Sequence, residues 1–192
     1  MPSPVSTEGH VSPQADPATV LRLYRAYTPG VQVADNATVR LDSDNEPQPD
    51  VSLRIVDERV GRSRLEDGYI IGALELVAEV AASSASYDLH DKMHALRRNG
   101  VREYLVWRVL DSAIDWFVLC GGAYRRLPLV DGQYRSEGFP GLWLEPAALL
   151  APDLPRVLEV LQAGLASDEH AGVCHRGSRP GSAIPLVRSP KR

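Results

Sequence analysis

Glu79 interrupts an otherwise apolar run, Leu76-Val77-Ala78-Glu79-Val80-Ala81, and Asp50 follows Pro49 at the mouth of a second apolar segment. A carboxylate inside a buried strand is costly unless it is paired, hydrogen-bonded or bound to a cation, so Glu79 needs a compensating partner. Strand alternation puts Glu75, Val77, Glu79 and Ala81 on one face and Leu76, Ala78 and Val80 on the other. In the helical pattern that follows, Lys92 lies about 60° around the axis from Leu89 and about 40° from Leu96, at ~100° per residue. It therefore borders the stripe that would pack on the sheet. Two converging carboxylates with a lysine beside them are the donor set of a magnesium-dependent phosphodiester hydrolase. The acids hold Mg²⁺, the ion activates a water and neutralises charge developing on the phosphate, and the lysine stabilises or helps deprotonate the nucleophile.

Each of these residues also has a purely structural reading. Asp50 could be a turn acid before a strand, and Glu79 could be a buried acid paired with an arginine such as Arg54. Glu75 reads as a strand-mouth surface residue that could support the site from behind. Asp88 and Lys92 have the i,i+4 spacing of a helix ion pair, and His10 falls in a loose polar segment. His170, Cys174 and His175 lie near the C-terminus without a fourth metal ligand.

The elements that would position these groups follow from the pattern. A helix is predicted from Pro17, behind Asp16 as N-cap, with Val20, Leu21, Tyr24 and Tyr27 at helical spacing until Pro29-Gly30. Short strands are expected at 31–33, 38–41 and 51–56, and a loop or hairpin tip at 57–68. Residues 73–82 read as a central strand covered on both sides, followed by a helix over 87–99 that Gly100 ends. An antiparallel meander is predicted from Tyr104 to Leu129, turning at Asp111-Ser112 and Gly121-Gly122. A final helix carries Leu154, Val157, Leu158, Leu161 and Leu165 as one stripe. Residues 1–16 are expected to be flexible, 17–165 to form a single domain, and 166–192 to be a mobile basic tail.

The chain has 192 residues, 44% of them hydrophobic and 24% charged, as in one folded domain with short extensions. Nothing in it reads as a membrane span or a secretory signal, and its two cysteines provide neither a disulfide framework nor a thiolate cluster, so a cytoplasmic protein is expected. The net charge is −4, but the five Arg/Lys beyond Glu169 leave 16 basic against 25 acidic side chains, a net −9, up to that point. An acidic body of this kind does not grip nucleic acid by charge alone, and a metal ion would have to assist.

Pro49-Asp50-Val51, Glu79-Val80, Ser84, Asp88 and Lys92, Gly100-Val101-Arg102-Glu103-Tyr104 and Phe139-Pro140-Gly141-Leu142, in this order and spacing, resemble the Uma-two family of restriction endonucleases within the PD-(D/E)XK nuclease superfamily. The resemblance runs from about Pro2 to Leu161. It implies an α/β (α+β) fold with a restriction-endonuclease-like core, a mixed central β-sheet flanked by helices. It also implies a Mg²⁺ or Mn²⁺ site at Asp50 and Glu79 and a catalytic Lys92; Glu75, Asp88 and His10 are candidates for supporting roles beside them. The superfamily pattern puts its lysine two residues after the glutamate, where this chain has Ala81, so Lys92 takes the assignment from the helix. Family members also open with a hairpin ahead of the part matched by Met1 to His10, so the chain is expected to be a shortened variant or to start late. The implied substrate is DNA, and the implied assembly is a homodimer whose two sites address two strands. Two alternatives stand beside this. One is a catalytically silent nuclease-fold protein that binds a protein or nucleic-acid partner; the other is an enzyme acting on another phosphate ester.

Overall fold

The computed structural model describes residues 12–81 and 91–177. His10 and Asp88 lie outside these described residues. In chain order the elements are α1 (Ser12–Tyr27), β1 (Val31–Asp35), β2 (Val39–Arg40), β3 (Val51–Ile55), β4 (Ser63–Glu66), β5 (Tyr69–Gly72), β6 (Leu76–Ala81), α2 (Met93–Arg98), β7 (Glu103–Arg108), β8 (Ala113–Cys120), β9 (Ala123–Arg126), β10 (Tyr134–Arg135), β11 (Trp143–Leu144), α3 (Pro146–Leu150), α4 (Leu154–Leu165) and α5 (Asp168–Gly177).

Six strands form the main sheet in the order β1-β3-β6-β7-β8-β9. β6 and β7 run parallel, joined by the crossover that contains α2, and the other neighbours are antiparallel. This is the mixed α/β fold expected from the sequence. The apolar run around Glu79 becomes β6, third in the sheet and covered on both faces, as such a run should be. On one face Leu53, Leu76, Leu105 and Trp116 pack against Val20, Leu21 and Tyr24 of α1 and Val157 and Leu161 of α4. On the other, Val77, Tyr104, Val106 and Phe117 pack against Leu96 of α2 and Ile70 of β5. The expected meander is present as β7-β8-β9, and Gly121 and Gly122, at φ 59° and 82°, close its second turn with the mirror-image backbone that matches strand twist.

The structure differs from the sequence reading at several element ends. α1 begins at Ser12, so Pro17 sits inside the helix and not in its first turn. The loop expected at 57–68 contains β4, which pairs with β5 in a hairpin whose three-stranded sheet also takes in β2. Beyond Ala166 the chain folds into α5, where His170 and Val173, three residues apart, turn inward and are buried. His170 Nε2 lies 2.9 Å from Thr28 Oγ1 and Nδ1 lies 2.9 Å from the Leu165 carbonyl, fastening α5 to the end of α1. The polar composition of this segment concealed that inward-facing pair. No helix among the described residues is long and apolar enough to cross a membrane.

Two stretches that carried the family resemblance meet at Glu103. Its fully buried carboxylate accepts hydrogen bonds from Trp116 Nε1 (2.9 Å), Ser136 Oγ (2.8 Å) and the Gly138 amide (2.5 Å). The turn leading into Phe139-Pro140-Gly141-Leu142 is therefore held on β7. Gly141 then packs on α4, where a Cβ at Gly164 would stand 2.3 Å from the Gly141 carbonyl oxygen, so only glycine fits. Burial pushes the Glu103 carboxyl above the usual range, and the bonds from Ser136, Gly138 and Trp116 counter this in part.

The folded chain thus keeps the Glu103 proton at a pH where the unfolded chain has released it. Its contribution favours the folded state below the unfolded value of 4.5 and is lost as pH rises through the folded one. Glu103→Gln cannot titrate, so its stability is expected to decline less steeply than that of the wild type from about pH 4.5 upward. Urea melts across a pH series measure this, and equal slopes would contradict it.

Candidate functional site

The site is built at one end of a short ladder. β3 and β6 are paired at Val51–Ala78, Ser52–Val77 and Leu53–Leu76, and the same antiparallel register places Asp50 opposite Glu79. Even-numbered residues of β6 direct their amides toward β3. The amide of Val80, beyond the last pair, donates to Asp50 Oδ2 at 2.7 Å. Asp50 thus serves as a side-chain extension of the ladder, which fixes its carboxylate at the amide of the residue after Glu79.

Glu75 closes the opposite end. Its Oε2 accepts from the Ile55 amide (2.8 Å) and its Oε1 from the Arg62 amide (2.9 Å). Glu75 is 2% exposed, so it is not the surface residue that its place before the strand suggested. Burial raises its carboxyl above the ordinary range, with the two amides opposing the shift. Four residues at about 3.3 Å each separate it from Glu79, so it anchors the β3–β4 connection and stands apart from the site.

Lys92 lies in the π-type turn that leads into α2. Its Nζ is 3.0 Å from Glu79 Oε2, with the glutamate side chain 7% and the lysine 31% exposed. The partner that Glu79 requires is therefore the lysine singled out from helical spacing, not Arg54. The Arg54 guanidinium instead donates to Ser63 Oγ (3.0 Å), the Ser63 carbonyl (3.0 Å) and Gln32 Oε1 (2.7 Å). Beside Lys92 opens a cleft of about 380 Å³ between the loop carrying Asn45 and Pro47 and the α2 residues Ala95 and Arg98. That loop is braced by Asp42, whose carboxylate accepts from the Asn45 side chain and the Asp44 amide and is held down at about 2 by those bonds and by Asn99.

Asp50 and Glu79, opposite each other in the extended register, offer oxygen donors only. Among the described residues, no group of three or more His, Cys, Asp or Glu could hold a metal ion. Two protein carboxylates fit Mg²⁺, which keeps several waters and takes further ligands from substrate phosphate, but not a structural zinc, which needs four protein ligands. The sequence reading missed two other buried acids, Glu103 and Asp115. Asp115 interrupts an apolar strand, which is the signal that pointed to Glu79, whereas Glu103 opens its strand behind Arg102 and carries no such signal.

A model of the Uma2 family, described as "Putative restriction endonuclease", matches residues 2–149. A crystal structure described as "a putative nuclease belonging to DUF820", from Anabaena variabilis, is similar in fold, with a TM-score of 0.59 at 12% identity, covering 78% of this chain and 83% of that one. Among curated proteins none is similar enough to count as a relative.

Removing the Lys92 ammonium leaves the Glu79 charge buried beside Asp50. Lys92→Met is expected to destabilise the fold by roughly 1–2 kcal/mol, below the range for fully buried pairs because solvent screens the lysine head. Glu79→Leu combined with Lys92→Met should recover much of that loss in a double-mutant cycle read by chemical denaturation. A coupling of zero would show that the pair does not compensate Glu79.

Proposed function

Because the chain belongs to the Uma2 family of restriction endonucleases, with the mixed α/β core described above, we propose that it is a Mg²⁺- or Mn²⁺-dependent endonuclease that hydrolyses DNA phosphodiester bonds. Asp50 and Glu79 hold the ion, and Lys92 is the catalytic lysine. The observation that carries this reading is the 3.0 Å contact between Lys92 Nζ and the buried Glu79 carboxylate, whose residue stands opposite Asp50 in the extended β3–β6 register. The name of the Anabaena variabilis protein, a nuclease, supports the same reaction class.

The bound ion would supply a water of lowered pKa and positive charge beside the phosphate. The chain's own residues do the positioning. The Val80 amide orients the Asp50 carboxylate, and β6 holds Glu79 in a fixed place beside it. Lys92 reaches Glu79 while part of its side chain remains in solvent, so its ammonium can donate to a phosphate oxygen as negative charge grows there. The cleft beside that ammonium is lined by Asp44, Glu46 and Asp91 as well as Arg98, so a strand entering there would need cations to screen those carboxylates. Cutting both strands of a duplex requires two such sites, which a homodimer would provide.

Two observations favour a second reading, a silent member that binds without cutting. Asp50 already has a structural task as acceptor for Val80, and Ala81 stands where the superfamily lysine would be.

Nicking of supercoiled plasmid with Mg²⁺ or Mn²⁺ separates the two. Wild type is expected to cut, and Glu79→Gln, Asp50→Asn and Lys92→Met to lose about 100-fold or more in rate. Asp50→Asn retains an amide oxygen for the Val80 amide, so its circular dichroism and melting temperature without metal should match wild type. Mg²⁺ should raise the melting temperature of wild type more than that of this variant. Equal cleavage by all four proteins would identify a contaminant, and binding of DNA without cleavage by wild type would select the silent reading.

A further inference from the structure

The row that begins at Asp50 and Glu79 continues across the sheet, where Glu79 is opposite Val106 and Val106 is opposite Asp115. Asp115 is 2% exposed, a second acid buried on the same sheet face. Two arginines neutralise it. Arg108 Nε donates to Oδ2 at 2.9 Å, and Arg126 Nη1 lies 2.8 Å from Oδ1. Arg108 also binds Asp111 on the β7–β8 turn. Arg126 projects from β9 opposite Phe117, with its guanidinium carbon 5.7 Å from the centre of that ring, and its side chain is 64% exposed.

This arrangement is costly to build if its only purpose is stability, since Asp115 must be desolvated to fix two long cationic side chains. Its product is an exposed guanidinium fork held at a defined place on the face that carries Glu79. The two strand spacings between Asp115 and Glu79, about 4.8 Å each, set the Asp115 backbone roughly 10 Å from that of Glu79, and the Arg126 fork is held at that Asp115. A guanidinium has five donors in a plane that matches phosphate oxygens, and Asp115 uses only part of the Arg126 set. In an acidic body, such a local cation is what attracts a polyanion.

We infer that Arg126 binds a backbone phosphate of the nucleic acid, a few nucleotides from the bond to be cut, and that Asp115 and Arg108 are the residues that position it. The inference rests on the nuclease reading above and extends it to a second phosphate contact. Arg108 is bound by two carboxylates and contributes placement; Arg126, with its exposed head, makes the contact.

The test is anisotropy of a labelled DNA duplex titrated with the full chain in magnesium-free buffer over a series of salt concentrations. Arg126→Ala is expected to weaken binding about fivefold to tenfold and to reduce the slope of log affinity against log salt by about 1. Arg126→Gln, which keeps a donor for Asp115 without the charge, should lose the same slope, and Arg126→Lys should retain most of it. A purely structural arginine would not change that slope. Arg22→Ala, an exposed arginine of α1 paired with Asp35 on the other side of the sheet, should behave as wild type. Wild-type affinity and slope in Arg126→Ala and Arg126→Gln would overturn the contact, as would a wild-type protein that does not bind DNA. Cleavage by wild type with no effect at Arg126 sinks this inference and leaves the nuclease reading standing. DNA binding that depends on Arg126 without any cleavage does the reverse.

Discussion

The architecture depends on compensating the buried Glu79 carboxylate in the third strand of a six-stranded sheet. An uncompensated charge at that depth would cost several kcal/mol, a large part of the margin by which a domain is stable. The cation arrives from the crossover between β6 and β7, which has to place Lys92 over β6 before α2 packs Leu96 onto Val77 and Tyr104. The parallel β6–β7 pair, the connecting helix and the position of Lys92 therefore form one solution to one electrostatic problem. Because the lysine head is about one-third exposed, the compensation is reachable from solvent. A fully buried pair would be closed to any third ion or phosphate.

The buried acids fall into two kinds, and the difference is what binds them. Glu75 and Glu103 are held by neutral donors: amides, an indole and a hydroxyl. They act as backbone acceptors placed where strands and turns lack one, and burial raises their carboxyls. Glu79 and Asp115 are instead met by ammonium and guanidinium groups on one face of the sheet. Asp50 bridges the two kinds, closing the β3–β6 ladder through Val80 while standing opposite Glu79.

Much of this was legible in the sequence because burial of charge leaves a local trace. An acid within an apolar strand identified Glu79, and helical spacing brought Lys92 to the edge of the packing stripe. The mixed fold followed from the family resemblance, with the strand and helix patterns over 73–100 in accord with it. Where the reading failed, the information lay in long-range pairing. Glu75 looked like a surface acid because the two amides it accepts from are 20 and 13 residues away in sequence. α5 looked like a mobile end because His170 and Val173 are spaced among polar residues, and His170 finds Thr28 across 142 positions. Asp115 had the same signature as Glu79, but its arginines sit on two different strands that only the register brings together.

The register also accounts for the alanine at position 81. Residue 81 pairs with Arg108, so a lysine there would share a face with a guanidinium one strand away, about 4.8 Å across the ladder. Like charges in that relation repel, and Arg108 is already committed to Asp115 and Asp111. Ala81 removes the conflict. It also leaves a small side chain at the end of β6, packed in the cluster that holds Leu96 and Val77. Lys92 then approaches Glu79 from the helix layer, away from the arginine pair. The two cationic groups are kept apart, one on the glutamate of the site and the other two strands along the same face.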